Sequence, residues 1–203
     1  MLFRSLLHRV SEAAERARSV NTVGFELDGW WGDTTDGPGS IDWLASLGRG
    51  VTRETAVVLG AGGAARSIAL ALASAEARSV SVSARDPAAV AERWSERGGI
   101  EVVRWRSAEE RSRLARASLV IHATPLVAQS LDLPWQQIPR SALLLDLNYG
   151  EAASAWVLDA RAQGREAYDG LGLLVFQARR SLALWYARPV ALDPLACAVG
   201  WPR

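Results

Sequence analysis

Six residues set between an apolar run and an alanine-rich run, Gly60-Ala61-Gly62-Gly63-Ala64-Ala65, read G-x-G-x-x-A. That is the spacing at which a backbone turn cradles a pyrophosphate. Gly60 permits the tight turn, Gly62 lets the main chain approach the phosphates, and Ala65 lets helix and strand pack closely. A following helix would offer free N–H groups and a partial positive charge to the anion. A glycine-rich turn can also be purely structural, but the flanking patterns agree with nucleotide binding. Further on stands Ser83-Ala84-Arg85-Asp86, where such folds select the ribose substituent. Arg85 favours a 2′-phosphate, hence NADP, through a charge-assisted contact; its alternative is a solvated surface arginine. Asp86 would repel that phosphate, or would cap the helix that Pro87 begins.

The rest of the inventory is exclusionary. All 23 basic residues are arginine, there is no lysine, and the net charge is +1. No nucleic-acid or anionic-membrane partner is expected from that balance. No apolar run reaches the roughly 18 residues of a membrane span. The one cysteine, Cys197, supplies neither an internal disulfide nor a CxxC metal site, so no metal and a reducing, cytoplasmic setting are expected.

These groups need elements to hold them. Leu6, Leu7, Val10, Ala13, Ala14 and Ala17 fall at helical spacing. Residues 19–26 read as a strand, Asp28-Gly29 as a turn, and Trp30-Trp31 as a second strand. Asp36-Gly37-Pro38 reads as a helix opening, because proline is tolerated in the first turn. From Thr55 the pattern alternates: strands at 56–59, 79–83, 100–103, 119–121 and 143–145, with helices at 63–75, 88–96 and 152–162. A last long helix over 171–186 stops before Pro189. Repeated βα units with uninterrupted apolar strands predict a parallel sheet with helices on both faces.

The order of motifs resembles the shikimate dehydrogenase family. The matching segments are Val20-Asn21-Thr22, Gly32-Asp33-Thr34-Thr35-Asp36-Gly37, Gly60 to Arg66, His122-Ala123-Thr124-Pro125-Leu126, and Asp169-Gly170-Leu171-Gly172-Leu173-Leu174-Val175-Phe176-Gln177. The resemblance implies an α/β protein with a Rossmann-like, NADP-binding domain and a partial N-terminal α/β substrate domain. Its expected boundaries are 1–50 for the residual substrate domain, 51–169 for the Rossmann domain, and 170–203 for helices returning to the substrate side. It implies reversible NADPH-dependent reduction of 3-dehydroshikimate to shikimate, in the biosynthesis of chorismate and the aromatic amino acids. It implies Asp36 as catalytic and substrate-binding, with Asn21, Tyr149 and Gln177 as further substrate ligands. Cofactor positions implied are Gly60, Ala61, Gly62, Gly63, Ala64, Arg85, Thr124 and Gly170. Asn and Gln offer both donor and acceptor to a polyol acid. Asn21 could instead satisfy a local turn, and Asp36 could serve as a helix N-cap.

Departures from the family pattern are also legible. The resemblance implies that about the first quarter of the usual enzyme lies outside these residues, with its proton-transferring lysine and its S-x-S segment. Phe3-Arg4 stands near the lysine position, and arginine stays protonated in proteins. An aspartate at its ordinary value of about 3.9 donates poorly at neutral pH. The alternative expectation is therefore a divergent or truncated paralogue that binds NADP(H) without efficient catalysis. Thr34 and His122 replace asparagines of the pattern. His122 could serve as a nicotinamide-side proton donor, but a packed or solvated histidine is the preferred reading. A partial substrate-domain sheet would leave a strand edge open, and a homodimer is expected from it.

Overall fold

The structure is a computed structural model, and residues 6–94, 99–126 and 133–201 are described. A small sheet comes first, built from β1 (Arg9–Val10), β2 (Thr22–Glu26) and β3 (Gly29–Asp33) in the order β1-β3-β2. Strand β1 runs parallel to β3 and β2 antiparallel to it. Helix α1 (Glu12–Ala17) lies between β1 and β2, and α2 (Asp36–Ser46) follows β3.

The large sheet holds β4 (Thr55–Leu59), β5 (Ser79–Ala84), β6 (Glu101–Arg104), β7 (Leu119–His122), β8 (Leu143–Asp146) and β9 (Ala167–Tyr168). Their order is β6-β5-β4-β7-β8-β9 and every pair is parallel. Counted from β4, this is the 3-2-1-4-5-6 order of a Rossmann sheet, with its switch point between β4 and β7. Helices α3 (Gly63–Ser74), α4 (Pro87–Arg93), α5 (Ala108–Leu114), α6 (Glu151–Ala162), α7 (Leu171–Tyr186) and α8 (Asp193–Val199) follow in chain order among the described residues.

Alternation along the strands explains why both faces are covered. Ala56 and Val58 of β4, with Leu119, Ile121, Leu143 and Leu145, pack into the core that holds Trp43, Ile68 and Phe176. Val57, Leu59, Val120 and Leu144 point the other way, against Leu114, Trp156 and Ala160. A period of two with apolar residues on both sides is what a doubly covered parallel sheet requires. Among the described residues no helix is long and apolar enough to cross a membrane.

Several boundaries differ from the sequence reading. The first helix begins only at Glu12, because Ser11 caps it, accepting from the Ala14 N–H at 3.1 Å and donating to Asp33 at 2.5 Å. Arg9 and Val10 instead pair with β3. The strand expected from residue 19 starts at Thr22, leaving Asn21 just outside it. Helix α4 ends at Arg93 with Trp94 as its C-cap; the rest of the expected span, 95–96, falls outside the described residues. Helices α5 and α8 and the two-residue β9 had no counterpart in the sequence reading.

Candidate active site

The glycine turn sits at the switch point of the large sheet. Gly60 has φ +121°, a conformation open to glycine, and its N–H donates to the Ser83 carbonyl at 3.0 Å. A Cβ there would stand 2.6 Å from the Ala123 carbonyl oxygen and 2.9 Å from Thr124 Cγ2. The turn therefore closes directly on the loop after β7, and only glycine fits. Gly62 is the N-cap of α3 in extended backbone, with open space on its side-chain direction. Beside the turn lies a cavity of about 580 Å³ lined by Gly60–Gly62, Ser83–Asp86, Trp105 and Ala123–Leu126.

Arg85 is exposed, and its guanidinium has no hydrogen bond or ion pair among the described residues. Asp86 accepts from the Ala89 N–H at 3.1 Å, so its carboxylate caps α4, the second of its two sequence readings. Thr124 lines the cavity, but its hydroxyl is engaged by His122 Nε2 at 2.7 Å and by the Leu126 N–H at 3.2 Å. His122 is fully buried, with Nδ1 3.0 Å from Asp146 and its ring against Trp156. It is the packed histidine, holding the β7 loop rather than facing the cavity. Gly170, the N-cap of α7, packs so tightly on Leu147 that a Cβ would lie 2.2 Å from its carbonyl oxygen.

A second group of polar residues forms where β2, α2 and α7 meet. Asn21 Nδ2 donates to Asp36 Oδ1 at 2.7 Å and to Gln177 Oε1 at 3.1 Å. Asn21 Oδ1 accepts from the Thr35 N–H at 2.9 Å. That backbone donor fixes the amide with its oxygen inward and its NH₂ toward Asp36 and Gln177. Gln177, whose oxygen is thereby occupied, keeps its NH₂ for a ligand, and Asp36 keeps Oδ2. Behind them Thr22 and Ser181 hydroxyls approach to 2.6 Å, and Thr35 lies 3.1 Å from Ser181. Burial raises the Asp36 carboxyl above the ordinary aspartate value, against a smaller lowering by the Asn21 hydrogen bond. The expectation that Asp36 titrates at its ordinary value is thus corrected upward, which makes it a better proton carrier.

Two glycines bring these helices close enough. A Cβ on Gly39 would stand 2.9 Å from the Gln177 backbone, and one on Gly172 would enter the Trp43 ring. Asp36 is the first residue of α2, and Thr35 is its N-cap, so the reading of Asp36 as that cap is corrected. At the helix start a negative charge is favoured by the dipole. Tyr149 is 55% exposed and makes no hydrogen bond to Asn21, Asp36 or Gln177, which the structure does bring together. Sequence reading missed Thr22, Thr35 and Ser181 beneath the cluster. It also missed Trp105, whose signal was its place after β6 at the same sheet end as Arg85.

A Rossmann sheet with a glycine turn at its switch point, and a protonatable carboxyl among amides nearby, is the plan of a nucleotide-linked oxidoreductase. No protein-family profile matches the chain. The shikimate dehydrogenase (NADP(+)) of Xylella fastidiosa strain Temecula1 is 36% identical over 197 residues, covering 92% of this chain and 68% of its own length. That of Xanthomonas euvesicatoria is 35% identical over 201 residues, covering 96% and 71%. The solved shikimate 5-dehydrogenase of Thermus thermophilus, in complex with NADP(H) and shikimate, superposes with a TM-score of 0.80 at 29% identity, over 95% of this chain and 72% of that one. The chain belongs to the shikimate dehydrogenase family.

Proposed function

We propose that the chain interconverts shikimate and 3-dehydroshikimate with NADP(H), the reading carried by the convergence of Asn21, Asp36 and Gln177 beside a Rossmann sheet. The glycine turn, with Ala61, Gly63 and Ala64, would hold the pyrophosphate, Arg85 would take the 2′-phosphate, and Thr124 and Gly170 would lie toward the nicotinamide end. The nicotinamide, when bound, accepts or supplies the hydride. Asn21 and Gln177 hold ligand hydroxyls, with the Gln177 NH₂ as donor. Asp36 takes the proton of the reacting hydroxyl during oxidation and returns it during reduction, helped by its raised pKa. Tyr149, exposed in the loop after β8, would meet the substrate from that side. The functional division follows the boundaries 1–50, 51–169 and 170–203. This reading is favoured over cofactor binding alone because the whole polar cluster is assembled rather than dispersed.

The 203 residues contain no lysine to share the proton transfer, and a positioned acid contributes about 10²–10⁴-fold. Turnover is therefore expected at least about a hundredfold below a relative that has one. The test is shikimate-dependent NADPH formation by this chain, with inositol as a control polyol. Saturable dependence on shikimate supports the reading; equal rates with both polyols overturn it. We also infer a cytoplasmic location, on the free and exposed Cys197. A homodimer is inferred from the open edge of β2 and the β2–β3 hairpin, where Phe25, Leu27 and Trp30 are exposed. Light scattering checks the dimer, and a concentration-independent monomer would count against it.

A further inference from the structure

We propose that Arg104 is a second cation for the 2′-phosphate of the nucleotide, acting beside Arg85, an inference that rests on the cavity being the NADP site. Strands β5 and β6 pair in a register that sets Ala84 opposite Arg104, so the residues after both strands leave the sheet side by side. Arg104 is exposed, and its Nη1 donates to the Arg85 carbonyl at 3.1 Å. The residue after it, Trp105, lines the cavity together with Arg85. Arg104 thus stands at the rim, tethered to the backbone of the residue whose side chain is free.

That placement is built rather than incidental. The Trp105 N–H donates to the Ala84 carbonyl at 2.9 Å. Glu110, only 4% exposed, accepts the Arg106 N–H at 2.7 Å through one oxygen and the Ser83 hydroxyl through the other. Arg106 is held in a left-handed turn, φ +60°, with its guanidinium 4.6 Å from the Trp105 ring. One buried carboxylate therefore clamps the end of β5 to the segment following β6, which fixes Arg104 relative to Arg85.

Charge explains why a second cation matters here. Asp86 stands next to Arg85, so Arg85 alone leaves that pair neutral toward a dianion. Arg104 adds a positive charge beside that pair, and the Asp86 carboxylate is turned toward the start of α4. A phosphate gains most from charged donors held in place before it binds.

Calorimetric titration of NADP, NAD, 2′,5′-ADP and 5′-AMP against wild type, Arg104→Ala and Arg85→Ala tests the proposal. Arg104→Ala is expected to weaken NADP and 2′,5′-ADP about tenfold, as for loss of a charged hydrogen bond. NAD and 5′-AMP should change less than about twofold, and the melting temperature should hold because Arg104 is exposed. If Arg104→Ala leaves NADP binding intact while Arg85→Ala weakens it, the Arg104 role is overturned and the NADP reading stands. An equal loss of NADP and NAD in Arg104→Ala also overturns it, since the residue would then serve only the turn. Equal wild-type affinity for NADP and NAD, unmoved by Arg85→Ala, would overturn the NADP reading itself.

Discussion

The nucleotide cavity and the Asn21–Asp36–Gln177 cluster are built by opposite means. The cavity arises from strand ends that the parallel sheet sets side by side, and its decisive residues are short-range: a glycine turn, then the residues after β5 and β6. The cluster joins Asn21 to a residue 156 positions away and depends on amide polarity, buried hydroxyls and two close helix approaches. The first is a backbone device on an apolar scaffold. The second is a side-chain network, in which each member constrains the next. Loss of one member should therefore cost more in the cluster than at the cavity rim.

Asp36→Asn is the strongest way to break that contrast. Turnover with shikimate should fall at least about a hundredfold, while NADP affinity stays unchanged. Stability should move the other way. The folded Asp36 carboxyl titrates above its unfolded value because of burial, so the folded state binds protons more readily there. That gives the folded protein a penalty that grows as pH rises from the unfolded value through the folded one, and is fully present above it. Asparagine removes the charge and can still accept from Asn21. The variant should melt above wild type at neutral pH, with the gap closing toward the ordinary carboxylate value of about 3.9. Melting curves across pH check the sign; a variant less stable at neutral pH would mean that Asp36 is held by partners rather than penalised by burial.

Next in size is Gly39→Ala. On helix propensity alone alanine would gain about 1 kcal/mol. Its Cβ would stand 2.9 Å from both the backbone nitrogen and the Cα of Gln177, and neither is a flexible end. Overpacking of this kind costs about 1–3 kcal/mol. Pushing α2 from α7 should separate Asp36 from Gln177, so shikimate affinity should drop while NADP affinity holds. Equal loss of both ligands would mean that the two regions are coupled more tightly than their construction suggests.

The same contrast explains what could be read in advance. The glycine turn and Arg85 were legible because their chemistry is written in adjacent residues. The buried strands were legible because apolar runs bounded by turns have one stable destination, a covered sheet. Asn21, Asp36 and Gln177 were legible only through the family's motif order, since no local pattern links residues so far apart. Thr22 was legible only as a member of the Val20-Asn21-Thr22 segment and Ser181 not at all: a hydroxyl in an apolar stretch looks the same whether it faces a partner or a neighbouring carbonyl. Helix α5 was missed because Ala108–Leu114 is mostly charged, although Ser107 and Glu110 have the spacing of a capping box and Ser107 caps the Glu110 N–H at 3.1 Å. The N-terminal helix was overextended because apolar spacing ran on through Leu6 and Leu7, while Ser11 set the true start.

Ser181→Ala probes the buried floor of the cluster without touching a ligand. Ser181 is buried, and its loss would remove the 2.6 Å partner of the Thr22 hydroxyl. An orphaned buried hydroxyl costs about 1–3 kcal/mol, less where Thr22 turns to Asn21 Oδ1 at 3.1 Å. The KM for shikimate should rise several-fold with kcat nearly unchanged, because Ser181 steadies Gln177 and does not move a proton. A drop in kcat at constant KM would place Ser181 in the proton path instead.

The smallest effect is expected at the cavity rim, from Asp86→Asn. The Asp86 carboxylate accepts from the Ala89 N–H at the start of α4, and asparagine is about as good an N-cap as aspartate. The fold should therefore tolerate the change, apart from a few tenths of a kcal/mol lost with the helix dipole. What changes is the charge of the Arg85–Asp86 pair, which rises from balanced to positive. Exposed charge pairs are worth about 0.2–1 kcal/mol, so NADP should bind up to about fivefold more tightly, and NAD, lacking the 2′-phosphate, should not. The gain should fade as salt is raised, because an exposed rim is screened within a Debye length of about 10 Å at 0.1 M. Parallel titrations of both cofactors at low and high salt read this directly. An equal gain for NAD would trace the effect to the helix start rather than to the phosphate, and a loss of NADP affinity would make Asp86 a ligand of the ribose.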